Sequence, residues 1–161
     1  MEQRNLDNRR IELLLDYLNN QSNEDYYEEL FTYVAESSYF YVLVSFSKRP
    51  VAQKDGNYLL QNDTNISFPV LTNSRGKYYP VFTSLKECEK WVEYDVHKAT
   101  VLTLCIDDFI DILNRDTKGM GIVINAFNQS FIISKEMLIH LKKVRDQNHP
   151  IHRHTIFEHL K

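Results

Sequence analysis

The chain is poor in the residues that usually announce chemistry. It has four glycines, four prolines, two cysteines and one tryptophan among 161 residues. Glycines this scattered cannot form a phosphate-cradling loop, which needs them clustered at fixed spacing. Cys88 and Cys105 are too few for a disulfide framework and have no base close in sequence, so both are expected to be buried and structural. The start, Met1-Glu-Gln-Arg-Asn5, lacks an apolar leader, and no later apolar run approaches membrane length. A reducing, cytoplasmic setting and no membrane partner are the expectation. Basic charge is also short: the net charge is −3. A nucleic-acid surface normally needs a basic stripe, so no nucleic-acid partner is expected.

What remains is ordinary globular material, 43% apolar and 25% charged, at a length that fits one domain. Asp7 or Asn8 can cap a helix over residues 9–19, with Ile11, Leu14, Leu15 and Leu18 on one face. A second helix starts at Ser22 or Asn23, with Glu24 and Asp25 in its first turn, where the helix dipole favours negative charge. Tyr39 to Phe46 is the strongest strand, apolar on both faces, and belongs in the middle of a sheet. Residues 51–66 are polar, with Asp55-Gly56-Asn57 as a turn and Tyr58 to Leu60 as a short strand.

Phe68 to Trp91 carries the clearest pattern: strand, turn, strand, capped helix. Asn73-Ser-Arg-Gly76 is the turn, with Gly76 free to take positive φ. Pro80 predicts a free edge or a bulge in the second strand. Ser84 with Glu87 reads as a capping box, and Leu85, Cys88, Trp91 and Val92 fall at core-facing spacing. Further on, residues 99–104 read as a buried strand and Asp107 as the cap of a helix. Ile122 to Ile124 and Phe131 to Ile133 read as strands around the turn 125–129. Ser134 caps a last helix with Met137, Leu138, Leu141 and Val144 facing inward. This order predicts an α+β domain: a mixed, mostly antiparallel sheet flanked by helices, with an N-terminal helix pair, over residues 1–147, and a histidine-containing tail over 148–161.

The segments PVFTS (80–84), VLTLCIDDFIDIL (101–113) and GIVINAFNQSFIISKEML (121–138) resemble the N-terminal domain of the SseB (enhanced serine sensitivity) family. The resemblance covers about residues 11–144. It implies a fold, a bacterial cytoplasmic origin and a binding or regulatory role, and it implies no reaction. The family usually has Pro and Gly where this chain has Ala126 and Asn128. Asn tolerates left-handed backbone, so the turn is expected to survive. Larger family members carry a second domain.

No residue set here demands catalysis. Asp107, Asp108 and Asp111 sit where a helix begins, where capping and the dipole already call for carboxylates. His149, His152, His154 and His159 lie in a terminal tail, a poor frame for convergent metal ligands. No catalytic residue, metal or cofactor is therefore assigned. The aromatics offer more. Ten tyrosines are too many for the core alone, and tyrosine suits contact surfaces. Alternation sends Tyr78 and Tyr79 to opposite faces, so one of them is expected at the surface. Phe127 stands in a turn, where an apolar ring either packs back onto the sheet or, left exposed, marks a contact surface. The expected binding residues are Tyr78, Tyr79, Asn125, Phe127 and Asn128. The leading reading is a protein-interaction or regulatory module. A small-ligand domain would instead need convergent polar groups in one cavity. A homodimer would use sheet edges or the apolar residues of the tail.

Overall fold

A computed structural model describes residues 6–36, 38–94 and 99–148. The tail from His149 onward, with the metal and docking roles weighed for it, lies outside the described residues.

The helix pair forms as the periodicity predicts. α1 (Arg9–Asn20) buries Ile11, Leu14 and Leu15, and α2 (Glu24–Glu36) buries Leu30, Val34 and Ala35. Asn23 Oδ1 accepts from Tyr26 N at 3.2 Å and so caps α2. Asn8 stands at the N-cap of α1 but makes no side-chain cap. Its Nδ2 donates to Tyr39 O and Thr83 O at 2.9 and 3.1 Å. A local cap has been exchanged for two bonds that fasten α1 to the sheet.

The strands follow: β1 (Phe40–Phe46), β2 (Val51–Ala52), β3 (Tyr58–Leu59), β4 (Ile66–Ser67), β5 (Leu71–Asn73) and β6 (Gly76–Val81). The chain continues through α3 (Leu85–Glu89), β7 (Thr100–Leu104), α4 (Ile106–Arg115), β8 (Gly119–Ile124), β9 (Phe131–Ser134) and α5 (Lys135–Asn148). One sheet runs β4-β1-β7 and another β5-β6-β8-β9, while β2 and β3 form a ribbon in which Val51, Ala52 and Leu59 are exposed. The β6–β8 pair is parallel and the other pairs are antiparallel. A bridge between Tyr41 and Phe82 joins the two larger sheets. The result is the expected α+β domain. β2 and β4 were not anticipated, because two residues are too short to show a period. β5 begins at Leu71 rather than Phe68, whose ring packs edge-on against Tyr79 at 6.3 Å.

β1 is central and is used on both faces. Phe40, Val42 and Val44 enter the main core with helix residues such as Leu14, Leu30 and Phe109, while Tyr41 and Leu43 enter a second core with Phe82, Cys88 and Trp91. Fully burying one such side chain is worth about 1.5–3 kcal/mol. β7, expected to be buried, is an edge strand and only half-buried.

At Pro80 the expected free edge is local, on the side that β5 does not reach. β6 lies inside its sheet, although its register does shift between Lys77 and Tyr78. Val81 O accepts from Asn125 N on one side, and Phe82 exchanges both backbone bonds with Tyr41 on the other. By alternation Pro80 faces the same side as Phe82, beyond the last β5 pair at Tyr78, where its missing N–H removes no ladder bond. At Gly121 the β8 backbone passes so close to β9 that an added Cβ would collide with the Ile133 carbonyl.

Three details of the helices also differ. Val92 is 90% exposed because α3 stops at Glu89 and the chain turns away. Cys105, not Asp107, is the N-cap of α4, with Asp108 Oδ2 accepting from Cys105 N at 2.9 Å. Val144 is exposed at the rim of a groove between α2 and α5, while Leu138 and Leu141 are buried. No helix among the described residues is long and apolar enough to cross a membrane.

Candidate binding face at the ends of the parallel strands

β6 and β8 run side by side and end together at Val81 and Ile124. The segments that follow, 82–84 and 125–130, therefore emerge next to each other. Asn125 binds them together. Its Oδ1 accepts from Thr83 N at 3.0 Å, and its Nδ2 donates to Thr83 Oγ1 at 2.9 Å and to Gln129 Oε1 at 2.8 Å. Its carbonyl accepts from Asn128 N and Ser130 N. Asn125 has no solvent exposure, so each bond forms away from water and none can be replaced by it. Left-handed backbone falls on Asn125 (φ 50°) and Ser130 (φ 49°), not on Asn128.

α1 braces this knot. Thr83 Oγ1 donates to Glu12 Oε1 at 2.7 Å. Gln129 Nε2 donates to Glu12 O at 2.9 Å and to Asp16 Oδ1 at 2.6 Å. α3 braces the other flank. Ser84 Oγ accepts from Glu87 N at 3.2 Å, the first half of the expected capping box. Glu87 is turned elsewhere: Oε1 accepts from Lys90 Nζ at 2.7 Å and from Asn128 Nδ2 at 3.2 Å. Its Oε2 is buried with no hydrogen-bond partner among the described residues.

On this frame sits an aromatic cluster. Phe127 stacks near-parallel on Phe82, with centroids 6.5 Å apart, and meets Trp91 at 5.4 Å. Tyr94 covers Trp91 at 4.6 Å. Phe127 remains 42% exposed, so the ring serves packing as well as presenting surface.

The expected binding residues therefore separate. Phe127 and Asn128 are on this face and exposed, and Asn125 lies beneath them as its fastener. Tyr78 and Tyr79 are only 7% and 8% exposed, which corrects the expectation that one would reach the surface. Alternation does separate them, but both faces of β6 are covered. Tyr79 lies in the main core, and its hydroxyl donates to Asp116. Burial, then that bond, raises the Tyr79 phenol above its ordinary range. Trp91 was legible as core. Tyr94, Glu87 and Lys90 as parts of this face were not, since their convergence depends on how β6 and β8 align. The parallel pairing was the missing signal.

The two thiols are poor nucleophiles. Burial pushes the Cys88 pKa up to about 12, and burial likewise raises that of Cys105. Asp107 is committed to structure. Arg145 meets it through two nitrogens at 2.8 and 2.9 Å, and Lys142 lies at 3.1 Å. The hydrogen bond from Arg145 holds its carboxyl well below the usual range.

These elements define an α+β domain in which two adjacent turns, locked by one buried asparagine, present aromatic side chains. The chain belongs to the SseB family: the model of the SseB protein N-terminal domain matches residues 12–138. Comparison with curated proteins and with solved structures found no match.

Proposed function

We propose that the chain is a non-catalytic interaction or regulatory module of the bacterial cytoplasm, meeting a protein partner through the Phe127 face. The observation that carries this reading is an aromatic ring held half-exposed on a hydrogen-bonded frame. A ring fixed before binding loses little entropy when it docks, and aromatic anchors of this kind dominate contact energies. Asn128 and Lys90 supply a polar margin, and both are exposed. The partner reading includes no nucleic acid and no membrane, in keeping with the net charge of −3.

A homodimer is the second reading, favoured by β9. It is the last strand of its sheet, and Ile132 on it is 42% exposed. A solution mass of one chain at micromolar concentration would end that reading.

The test of the first is affinity capture from lysate of the native bacterium, wild type beside Phe127→Ala. The variant's melting is measured in parallel so that loss of fold is not mistaken for loss of contact. A protein enriched by the wild type and lost with the folded variant is expected. Identical capture profiles would remove this face from consideration.

A further inference from the structure

Building on the contact role proposed for the Phe127 face, we propose that its partner inserts an arginine there, received by the buried carboxylate of Glu87. Lys90 holds that position until the arginine displaces it.

Glu87 is only 9% exposed, and its two oxygens are treated unequally. Oε1 accepts from Lys90 Nζ at 2.7 Å and from Asn128 Nδ2 at 3.2 Å. Oε2 is buried and has no hydrogen-bond partner among the described residues. A buried carboxylate oxygen without a donor is costly, so a fold that keeps one has a use for it. The Asn128 bond sets this carboxyl directly beside the turn that carries Phe127. The orphan acceptor therefore belongs to the aromatic face and not to a remote part of the core.

Charge calls for a cation. Three carboxylates underlie the two turns: Glu12 accepts from Thr83, Asp16 from Gln129, and Glu87 from Asn128. Among the described residues, Lys90 alone forms an ion pair with any of them. Geometry then favours arginine over lysine. An ammonium is a point charge, and Lys90 shows its limit: it meets Oε1 and leaves Oε2 bare. A guanidinium carries parallel N–H donors that meet both oxygens of a carboxylate. Its plane also stacks on aromatic faces, and the Phe127 ring beside it is 42% exposed.

Lys90 can yield. Its side chain is 43% exposed against 11% for Glu87, so the lysine approaches the carboxylate from the solvent side. An ion pair with one partner so exposed contributes little to stability. The terminal torsion of a glutamate is broad, so both oxygens can turn toward a newcomer once the ammonium has left.

The experiment titrates three blocked dipeptides into the full chain. They are acetyl-phenylalanyl-arginine amide, its lysine counterpart and its citrulline counterpart, which keeps the shape of arginine without the charge. Binding is read from the side-chain amide resonances of Asn128, with those of Asn73 in the exposed hairpin turn as internal control. The wild type should bind the arginine peptide about tenfold more tightly than the citrulline peptide, with lysine between them. Glu87→Gln, checked for folding by its melting, should abolish that preference. Lys90→Ala alters an exposed residue and should tighten arginine binding about threefold by removing the competitor. Equal binding of arginine and citrulline by the wild type would leave Oε2 to a trapped water and overturn the proposal. So would an unmoved Asn128, a preference that survives Glu87→Gln, or arginine binding that Lys90→Ala does not tighten. Lysate capture separates this outcome from failure of the contact reading. A protein lost with Phe127→Ala but retained by Glu87→Gln would keep the face and reject the arginine.

Discussion

Two turns of this domain begin with asparagine and use it in opposite ways. Asn73 opens the β5–β6 hairpin. Its Oδ1 accepts from Arg75 N at 2.8 Å and Gly76 N at 3.1 Å, both within the same turn, and the residue is exposed. Asn125 opens the turn between β8 and β9. Its side chain bonds Thr83, 42 residues away, and is fully buried. The first asparagine shapes its own loop, and water can stand in for it. The second joins two loops whose Thr83 and Gln129 in turn bond α1, and nothing can stand in for it. Residue type sets which bonds are available. Burial and sequence separation decide what their loss costs.

Asn125→Ala is the sharpest way to test the difference. It leaves Thr83 N–H and Gln129 Oε1 without their partner in a buried site and puts alanine at positive φ. We expect a loss of about 4 kcal/mol in a urea titration. Asn125→Asp should also be costly, because a carboxylate cannot donate to Thr83 Oγ1 and Gln129 Oε1. A loss below 1 kcal/mol for both would show that the knot is not what unites the turns. Trp91→Ala comes next. Trp91 packs Phe82, Phe127 and Tyr94, and its removal should cost about 3 kcal/mol. The companion observation is that Phe127 loses the ring it leans on. Its ring resonances should broaden or shift in the variant, and their persistence would detach the aromatic face from α3.

Phe127→Ala removes contacts with two rings but leaves a half-exposed site that water can fill, so about 1–1.5 kcal/mol is expected. That is larger than a purely surface ring would give. A change under 0.3 kcal/mol would mean the ring serves contact alone.

The elements were legible where periodicity is long. Leu14, Leu30 and the alternating residues of β1 revealed their faces because the pattern repeats over several turns or pleats. The ends and the site were less so. Ser84 and Glu87 have the spacing of a reciprocal cap, but Glu87 went to Lys90, three residues on, and to Asn128, a partner set by tertiary structure. Asn8 likewise left its cap for Tyr39 and Thr83. Tyr78 and Tyr79 could not be placed because alternation tells which faces they occupy and not whether those faces are covered. Of the face itself, Phe127 and Asn128 could be read from the turn. The frame beneath them could not, since Glu12, Thr83 and Gln129 meet only after β6 and β8 pair in parallel.

The hairpin side has a tie of its own, and it is sensitive to acid. Lys77 Nζ lies 2.6 Å from Asp116 Oδ2, which also accepts from the Tyr79 hydroxyl. The Lys77 contact, then Tyr79, lowers the Asp116 pKa from 3.8 to about 2. A folded value below the unfolded one stabilises at pH above about 4, and that contribution is lost as pH falls from there toward 2. Asp116 is half-buried and Lys77 is partly exposed, so solvent screens the pair and the effect is small. Asp116→Asn should flatten that limb of the stability profile. An unaltered limb would assign acid sensitivity to other carboxylates.

Asn73→Ala should have the smallest effect of all. The variant loses two hydrogen bonds, yet Arg75 N and Gly76 N lie in an exposed turn and can bond water instead. Gly76, at φ 145°, keeps the backbone geometry that the hairpin needs. The pairing of Leu71 with Tyr78 and of Thr72 with Lys77 holds the register independently of the asparagine. A cost of about 0.5 kcal/mol is therefore expected, several-fold below that of Asn125→Ala. Equal losses at the two positions would mean that the hairpin turn, too, carries a connection beyond its own four residues. The contrast between a local and a long-range asparagine would then collapse.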